Sequence, residues 1–175
     1  MNYASKMLEA LVYASNSPDP STQNAALLYG KDDQLLVSAV NAFPNGVVMS
    51  DERWTRPSKY FYVEHAERNA IYQAAKLGIP TRGTTMVAVW AACHDCARAI
   101  IQAGITTVVR YEVPDNPRHW QESNEVGELL LLEAGVKVIT LKTIYGEDEV
   151  PPLLLNEEFW RATLPIETEN FRPLP

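Results

Sequence analysis

Apolar side chains at Tyr3, Ala4, Met7, Leu8, Leu11 and Val12 recur at i, i+3 and i+4. That spacing lays one apolar stripe along a helix over residues 3–15. Ser17-Pro18-Asp19-Pro20-Ser21 interrupts the stripe, because proline and small polar residues favour turns. Two short apolar runs follow, Ala25 to Tyr29 and Leu35 to Val40, on either side of Gly30-Lys31-Asp32-Asp33. They predict two strands joined as an antiparallel hairpin. Asn41 to Tyr62 is polar and contains prolines, a loop long enough to expect a function from it.

Helical spacing returns from Glu64 to Leu77 and stops at Gly78 and Pro80. A strand over Thr84 to Trp90 then leads to a helix from Cys93 to Ala103 that ends at Gly104. Thr106 to Arg110 reads as a fourth strand, Glu122 to Glu133 as a helix closing near Gly135, and Val136 to Leu141 as a fifth strand. A helix between two strands requires a crossover, so strands 4 and 5 are predicted parallel. The expected fold is α/β, a five-stranded mixed sheet flanked by helices, in one domain over residues 1–142. Residues 143–175 carry Pro151-Pro152, Phe159, Trp160 and Phe171, the composition of an extension draped over the core or a neighbouring subunit.

Composition narrows the partners. The 175 residues are 46% hydrophobic and 21% charged with a net charge of −7, ordinary for a globular protein. Nucleic acid is an unlikely partner, because phosphate backbones are bound mostly by clustered Lys and Arg. Met1 to Ser17 lacks the basic region and continuous apolar run of a signal peptide, and no stretch approaches the roughly 20 apolar residues of a membrane span. Both cysteines sit in one C-x-x-C, so no disulfide framework exists. A reducing, cytoplasmic setting is expected.

The chemistry lies in two short motifs. They are His65-Ala66-Glu67 and Cys93-His94-Asp95-Cys96, with 27 residues between His65 and Cys93. One imidazole and two thiolates make three zinc ligands and leave the fourth tetrahedral position for a water, whose pKa zinc lowers to about 7. Glu67 is then a carboxylate free to move protons. Cys93 and Cys96, three apart, share one face of a first helical turn, where helix terminus and metal both favour thiolate.

Blander readings exist for each residue. A C-x-x-C alone suits a structural metal site or a thioredoxin-like redox pair, but that leaves His65-Ala66-Glu67 idle, and no second C-x-x-C completes a four-cysteine site. His94 lies between the cysteines and points away from their shared face, so it is not expected to be a ligand, and His119 reads as a loop histidine. Arg53, Arg56 and Lys59 read by default as a solvated charged loop anchored by Trp54 and Tyr60. As the basic cluster directly upstream of His65, they are also the candidates for holding a phosphate against the net negative charge.

H-x-E followed by C-x-x-C is the signature of zinc-dependent nucleobase deaminases, with Ala92 standing for a usual proline. The match continues through Asp19-Pro20-Ser21-Thr22-Gln23, Asn41-Ala42-Phe43-Pro44-Asn45-Gly46, Lys59-Tyr60, Ile101-Gln102-Ala103-Gly104-Ile105 and Ala134-Gly135-Val136. The chain thereby resembles the deoxycytidylate (dCMP) deaminase family over roughly residues 3–140. The resemblance implies a cytidine-deaminase-like fold, Zn2+ as cofactor and conversion of dCMP and water to dUMP and ammonia. It also implies a homo-oligomer, often a hexamer. It places Asn41 at the sugar-contacting position and Lys59-Tyr60 where the family carries the same pair; Ala66, Ala91 and, from the basic cluster, Arg56 complete the candidate substrate-binding residues. Two departures stand out. Asn24-Ala25 replaces a usual Val-Gly beside the expected pocket. Ala39-Val40-Asn41-Ala42 replaces Gly-Tyr-Asn-Gly, so control by dCTP and dTTP is expected to be weak or absent. The alternatives are the same chemistry on a modified cytosine nucleotide, a nucleoside or a purine, then tRNA or DNA editing, and last a non-catalytic zinc or redox module.

Overall fold

The computed structural model describes residues 1–111, 118–142, 153–155, 158–160 and 167–169. Asn2 starts α1 (Tyr3–Ala14) by accepting the Ser5 N–H on its side chain at 3.2 Å, which satisfies one otherwise unpaired helix-end donor. β1 (Ala25–Tyr29) and β2 (Leu35–Val40) form the expected antiparallel hairpin. Its turn places Asp33 at φ 60°, a left-handed conformation that Asp tolerates better than most residues.

α4 (Ala66–Leu77), β3 (Thr85–Ala88), α5 (His94–Gln102), β4 (Thr107–Tyr111), α6 (Arg118–Glu133) and β5 (Lys137–Lys142) follow. Two short helices, α2 (Asp51–Trp54) and α3 (Lys59–Tyr62), lie ahead of them. The core sheet runs β2-β1-β3-β4-β5, with β1 antiparallel to β3, and β3-β4 and β4-β5 parallel. The five-stranded mixed sheet and its parallel fourth and fifth strands are therefore as the sequence predicted.

Alternation along the strands divides the core into two layers. Leu27, Tyr29, Val87, Val109, Ile139 and Leu141 pack with Met7, Ala10, Leu11 and Ala14 of α1. Ala26, Leu28, Met86, Ala88 and Val108 face α4, α5 and α6 through Ala70, Ala74, Ala97, Ile100 and Leu131. With both faces covered, β1 is buried at every position, which explains its unbroken apolar run.

Two details differ from the sequence reading. The segment expected as loop over Asn41 to Tyr62 holds α2 and α3, single turns too short to show a repeat. Trp54 anchors them by stacking on Phe43 at 4.2 Å between ring centroids. Helix α6 begins at Arg118, so His119 lies in its first turn and not in a loop. Beyond residue 142 the backbone forms a β6 (Leu153–Leu155)–β7 (Glu158–Trp160) pair, and β8 (Glu167–Glu169) adds antiparallel to β5 as a sixth strand. The rest of the extension, Pro151-Pro152 and Phe171 included, lies outside the described residues, as do the Phe159 and Trp160 side chains. No helix among the described residues is long and apolar enough to cross a membrane.

Gly127 sets the distance between α6 and the start of α5. A Cβ there would lie 2.4 Å from the Ala92 carbonyl oxygen and 3.0 Å from the Cys93 carbonyl carbon. In an exposed helix Gly→Ala stabilises by roughly 1 kcal/mol; here overpacking against backbone, worth about 1–3 kcal/mol, opposes it. Gly127→Ala is expected to lower Tm by several degrees. A thermal melt showing a higher Tm would mean that α6 does not seat on this turn.

Candidate active site

The site is built where two helices start. His65 caps α4 (φ −70°, ψ 150°) and Cys93 caps α5 (φ −66°, ψ 167°), and neither side chain bonds its own helix terminus. Each is left free to point at a shared centre. His65 Nδ1 lies 3.5 Å from Cys93 Sγ and 3.5 Å from Cys96 Sγ. A tetrahedral zinc with bonds of about 2.3 Å to sulfur and about 2.0–2.1 Å to nitrogen separates those ligands by about 3.6 Å. The donor set and its spacing therefore fit zinc. Among the described residues these three form the cluster able to hold a metal; Glu67 and His94 are not in it. His94 turns away and bonds Ser123 Oγ of α6 at 2.8 Å.

The two thiols divide one proton unequally. A hydrogen bond from Cys96 pulls the Cys93 pKa down to about 3 against the effect of burial, with His65 adding to the pull. Cys96 is pushed well up by its bond to the Cys93 thiolate and by burial. Burial lowers the His65 pKa, but the Cys93 thiolate and Glu67 carboxylate raise it more. Arg68, on the first turn of α4, places Nη1 3.8 Å from Cys96 Sγ and pairs through Nε with Glu64. Burial alone would lower its pKa, but Cys96 and Glu64 raise it, so it is a fixed cation against the sulfurs. Neither Arg68 nor Gly127 was singled out by the sequence reading. A glycine inside a helical run was the one available signal for the latter.

Glu67 is 2% exposed. Its Oε2 lies 3.7 Å from Cys96 Sγ and 3.5 Å from Asn24 Nδ2. Burial raises its pKa, a change the His65 charge opposes and Cys93 reinforces, which brings a carboxylate towards the range where it can both accept and return a proton.

The remaining candidates form a polar network behind this carboxylate. Asn41 Nδ2 donates to Asp19 Oδ2 and to the Thr22 carbonyl, each at 2.8 Å, and its Oδ1 accepts from Asn24 N at 2.7 Å and Ser17 Oγ at 2.8 Å. Two donors and two acceptor positions are thus satisfied. Lys59, 5% exposed, pairs with Asp19 Oδ2 at 2.7 Å and donates to Ser21 Oγ at 2.7 Å. Arg56 is exposed and donates to Ser21 Oγ at 3.2 Å and Tyr60 Oη at 3.1 Å. Tyr60 meets the edge of Trp120, which meets His65, with centroids 5.8 and 5.6 Å apart. Trp120 is a neighbour of the site that the sequence did not reveal. Ala66 is fully buried at the start of α4, and Ala91 is half-buried in the turn between β3 and α5.

Residues 1–112 match the family model described as the cytidine and deoxycytidylate deaminase zinc-binding region. The chain belongs to this family. It is 33% identical to deoxycytidylate deaminase of Mus musculus and 32% identical to that of Homo sapiens, in each case over 74% of this chain and 74% of the relative. The fold resembles that of dCMP deaminase from cyanophage S-TIM5, solved with dCMP and dUMP, with a TM-score of 0.61 and 24% identity over 78% of this chain and 94% of that one. For a member of this zinc-dependent family, His65, Cys93 and Cys96 are the group that could hold the metal, which when bound would supply the Lewis acidity that makes water a nucleophile near neutral pH.

Glu67→Ala is expected to keep stoichiometric zinc and lose about 10²–10⁴-fold in turnover, whereas Cys96→Ala loses the metal. Zinc content measured beside ammonia release separates the roles, and a zinc-free Glu67→Ala protein would make Glu67 a ligand. Zinc affinity is expected to rise with pH, because the proton held on Cys96 must leave before its sulfur can ligate. Adding zinc to the metal-free protein in weak buffer with an indicator dye should therefore release protons.

Proposed function

We propose that this deaminase hydrolyses dCMP to dUMP and ammonia in the cytoplasm, as a homo-oligomer. The observation that supports it most is a buried proton-transfer carboxylate, Glu67, against a three-ligand zinc site, in a chain a third identical to two deoxycytidylate deaminases. Glu67 takes one proton from the attacking water and delivers it to the ring nitrogen beside the amino-bearing carbon; it then takes the proton left on the new hydroxyl and passes it to the amine, so that the C–N bond breaks, ammonia leaves and the carbon becomes a carbonyl. Ala66 and Ala91 serve the base through their backbones, since an alanine side chain offers no hydrogen bond.

Burial supports giving the basic loop two roles. Lys59 is buried with its charge matched by Asp19, so it holds the network together. Arg56 is exposed, and with Tyr60 it is the better placed to meet a phosphate. Losing a charged contact to the phosphate costs about 1.5–3 kcal/mol, one to two decades in kcat/KM. Arg56→Ala is therefore expected to lose that much on dCMP and little on deoxycytidine. Lys59→Ala leaves Asp19 buried without its cation, which costs about 3–5 kcal/mol of stability, and lowers activity on both substrates. Ammonia release across dCMP, CMP, deoxycytidine and adenine and guanine nucleotides tests the assignment. Wild-type preference for deoxycytidine over dCMP would overturn the mononucleotide reading, and preference for a purine would replace it with the same chemistry on another base.

A further inference from the structure

The Asn24 side chain is an anomaly beside the reacting centre. The residue is 8% exposed, and its carbonyl oxygen Oδ1 is buried without a hydrogen-bond partner among the described residues. Buried polar atoms are nearly always paired, so an orphan calls for a reason. Its other end, Nδ2, lies 3.5 Å from Glu67 Oε2. The backbone around it cannot drift. Asn24 N donates to Asn41 Oδ1 at 2.7 Å, and Asn24 O accepts from Asn41 N at 3.2 Å. β1 begins at the next residue.

The Glu67 carboxylate needs one oxygen held and the other free, because the reaction asks it to carry a proton between three places without turning away. Besides the backbone N–H of Glu67 itself, which also bonds the carboxylate, Oε2 has two side-chain hydrogen-bond contacts among the described residues, Cys96 Sγ at 3.7 Å and Asn24 Nδ2 at 3.5 Å. A zinc-ligating sulfur is a thiolate and donates nothing. Of the two, the amide is the donor that persists in the working enzyme.

We propose that Asn24 is a positioning residue for Glu67, its amide N–H anchoring Oε2 so that Oε1 is left to exchange protons with substrate. The orphaned Oδ1 is the stability cost of keeping an amide there. The proposal rests on the deaminase chemistry assigned to Glu67, and not on which nucleotide is deaminated.

Two zinc-loaded variants test it against wild type. Asn24→Leu keeps the branched shape and removes both polar ends; Asn24→Asp keeps the size but turns an acceptor towards Glu67. For Asn24→Leu, stoichiometric zinc and a Tm close to wild type are expected, because removing the unpaired Oδ1 offsets leaving Glu67 Oε2 without its amide donor. Its kcat should fall on the order of 10- to 100-fold, with KM changed by less than about threefold and the loss parallel on every substrate that wild type deaminates. Asn24→Asp should lose at least as much kcat, since it sets one carboxylate against another. A clearly lower Tm for Asn24→Leu would mean that the amide serves folding, and would overturn the proposal whatever the substrate. Unchanged kcat, a loss carried by KM, or a loss confined to one base would overturn it equally, the last by showing that the amide reads the base. Wild-type enzyme that releases no ammonia from dCMP but does so from another nucleotide overturns the dCMP assignment alone.

Discussion

Ligand atoms from residues 28 apart in the chain meet within 3.5 Å, and this convergence needs two helix N-termini aimed at one point. α4 and α5 lie on the same face of the sheet, where Ala70, Ala74 and Ala97 keep the helices close. Each helix gives its first residues to the site instead of to its own cap. The unpaired N–H groups and positive end of each dipole then favour anionic sulfur and carboxylate. Arg68 adds a full cation at 3.8 Å from Cys96 Sγ. α6 must also come close enough to back the cysteine turn, and the missing side chain at Gly127 permits that. The metal centre is thus a property of helix packing as much as of three ligands.

A second constraint lies behind the carboxylate. Asn41 satisfies Asp19, Thr22, Ser17 and Asn24 with one side chain, and Lys59 closes the same cluster from the loop side. Burying the Lys59–Asp19 pair carries a desolvation cost that only good geometry and further hydrogen bonds offset. Here both oxygens of Asp19 are engaged, Oδ1 by the Ser21 and Thr22 N–H groups among others. The result joins the segment before β1, the end of β2 and the short helix α3. Strain or charge change at Arg56 or Lys59 therefore has a connected route towards Glu67, through Ser21, Asp19, Asn41 and Asn24.

Most of the scaffold was legible because it repeats. The stripe at Met7 and Leu11, the apolar runs of β1 and β4, and the glycines at 78, 104 and 135 are periodic or punctuating signals that need no tertiary context. His65, Glu67, Cys93 and Cys96 were legible for another reason: few residue types perform this chemistry, and both motifs sit at helix starts. Illegible features depend on what another segment brings. Single-turn helices α2 and α3 show no period, and the true start of α6 precedes its apolar stripe. Trp120 becomes a neighbour of His65 only once that extra turn is built. The burial of Lys59 depends on Asp19, 40 residues earlier, and a charged residue in a polar loop carries no mark of it.

Chemistry and selectivity therefore have different physical footing here. The metal ligands and Glu67 stand on helix ends packed against the two-sided core, and their geometry is as rigid as that core. Arg56, Lys59 and Tyr60 come from the connection between β2 and α4, held by ring stacking of Trp54 on Phe43 and by hydrogen bonds to Asp19 and Ser21. A loop so anchored can change its side chains without moving the centre, which is how one scaffold admits different substrates. Asn41 qualifies that separation. Its side chain belongs to the network that positions the backbone beside Glu67, so substitution there reaches the carboxylate through Asn24. Arg56 and Tyr60 are exposed, where a side chain can vary without disturbing that network.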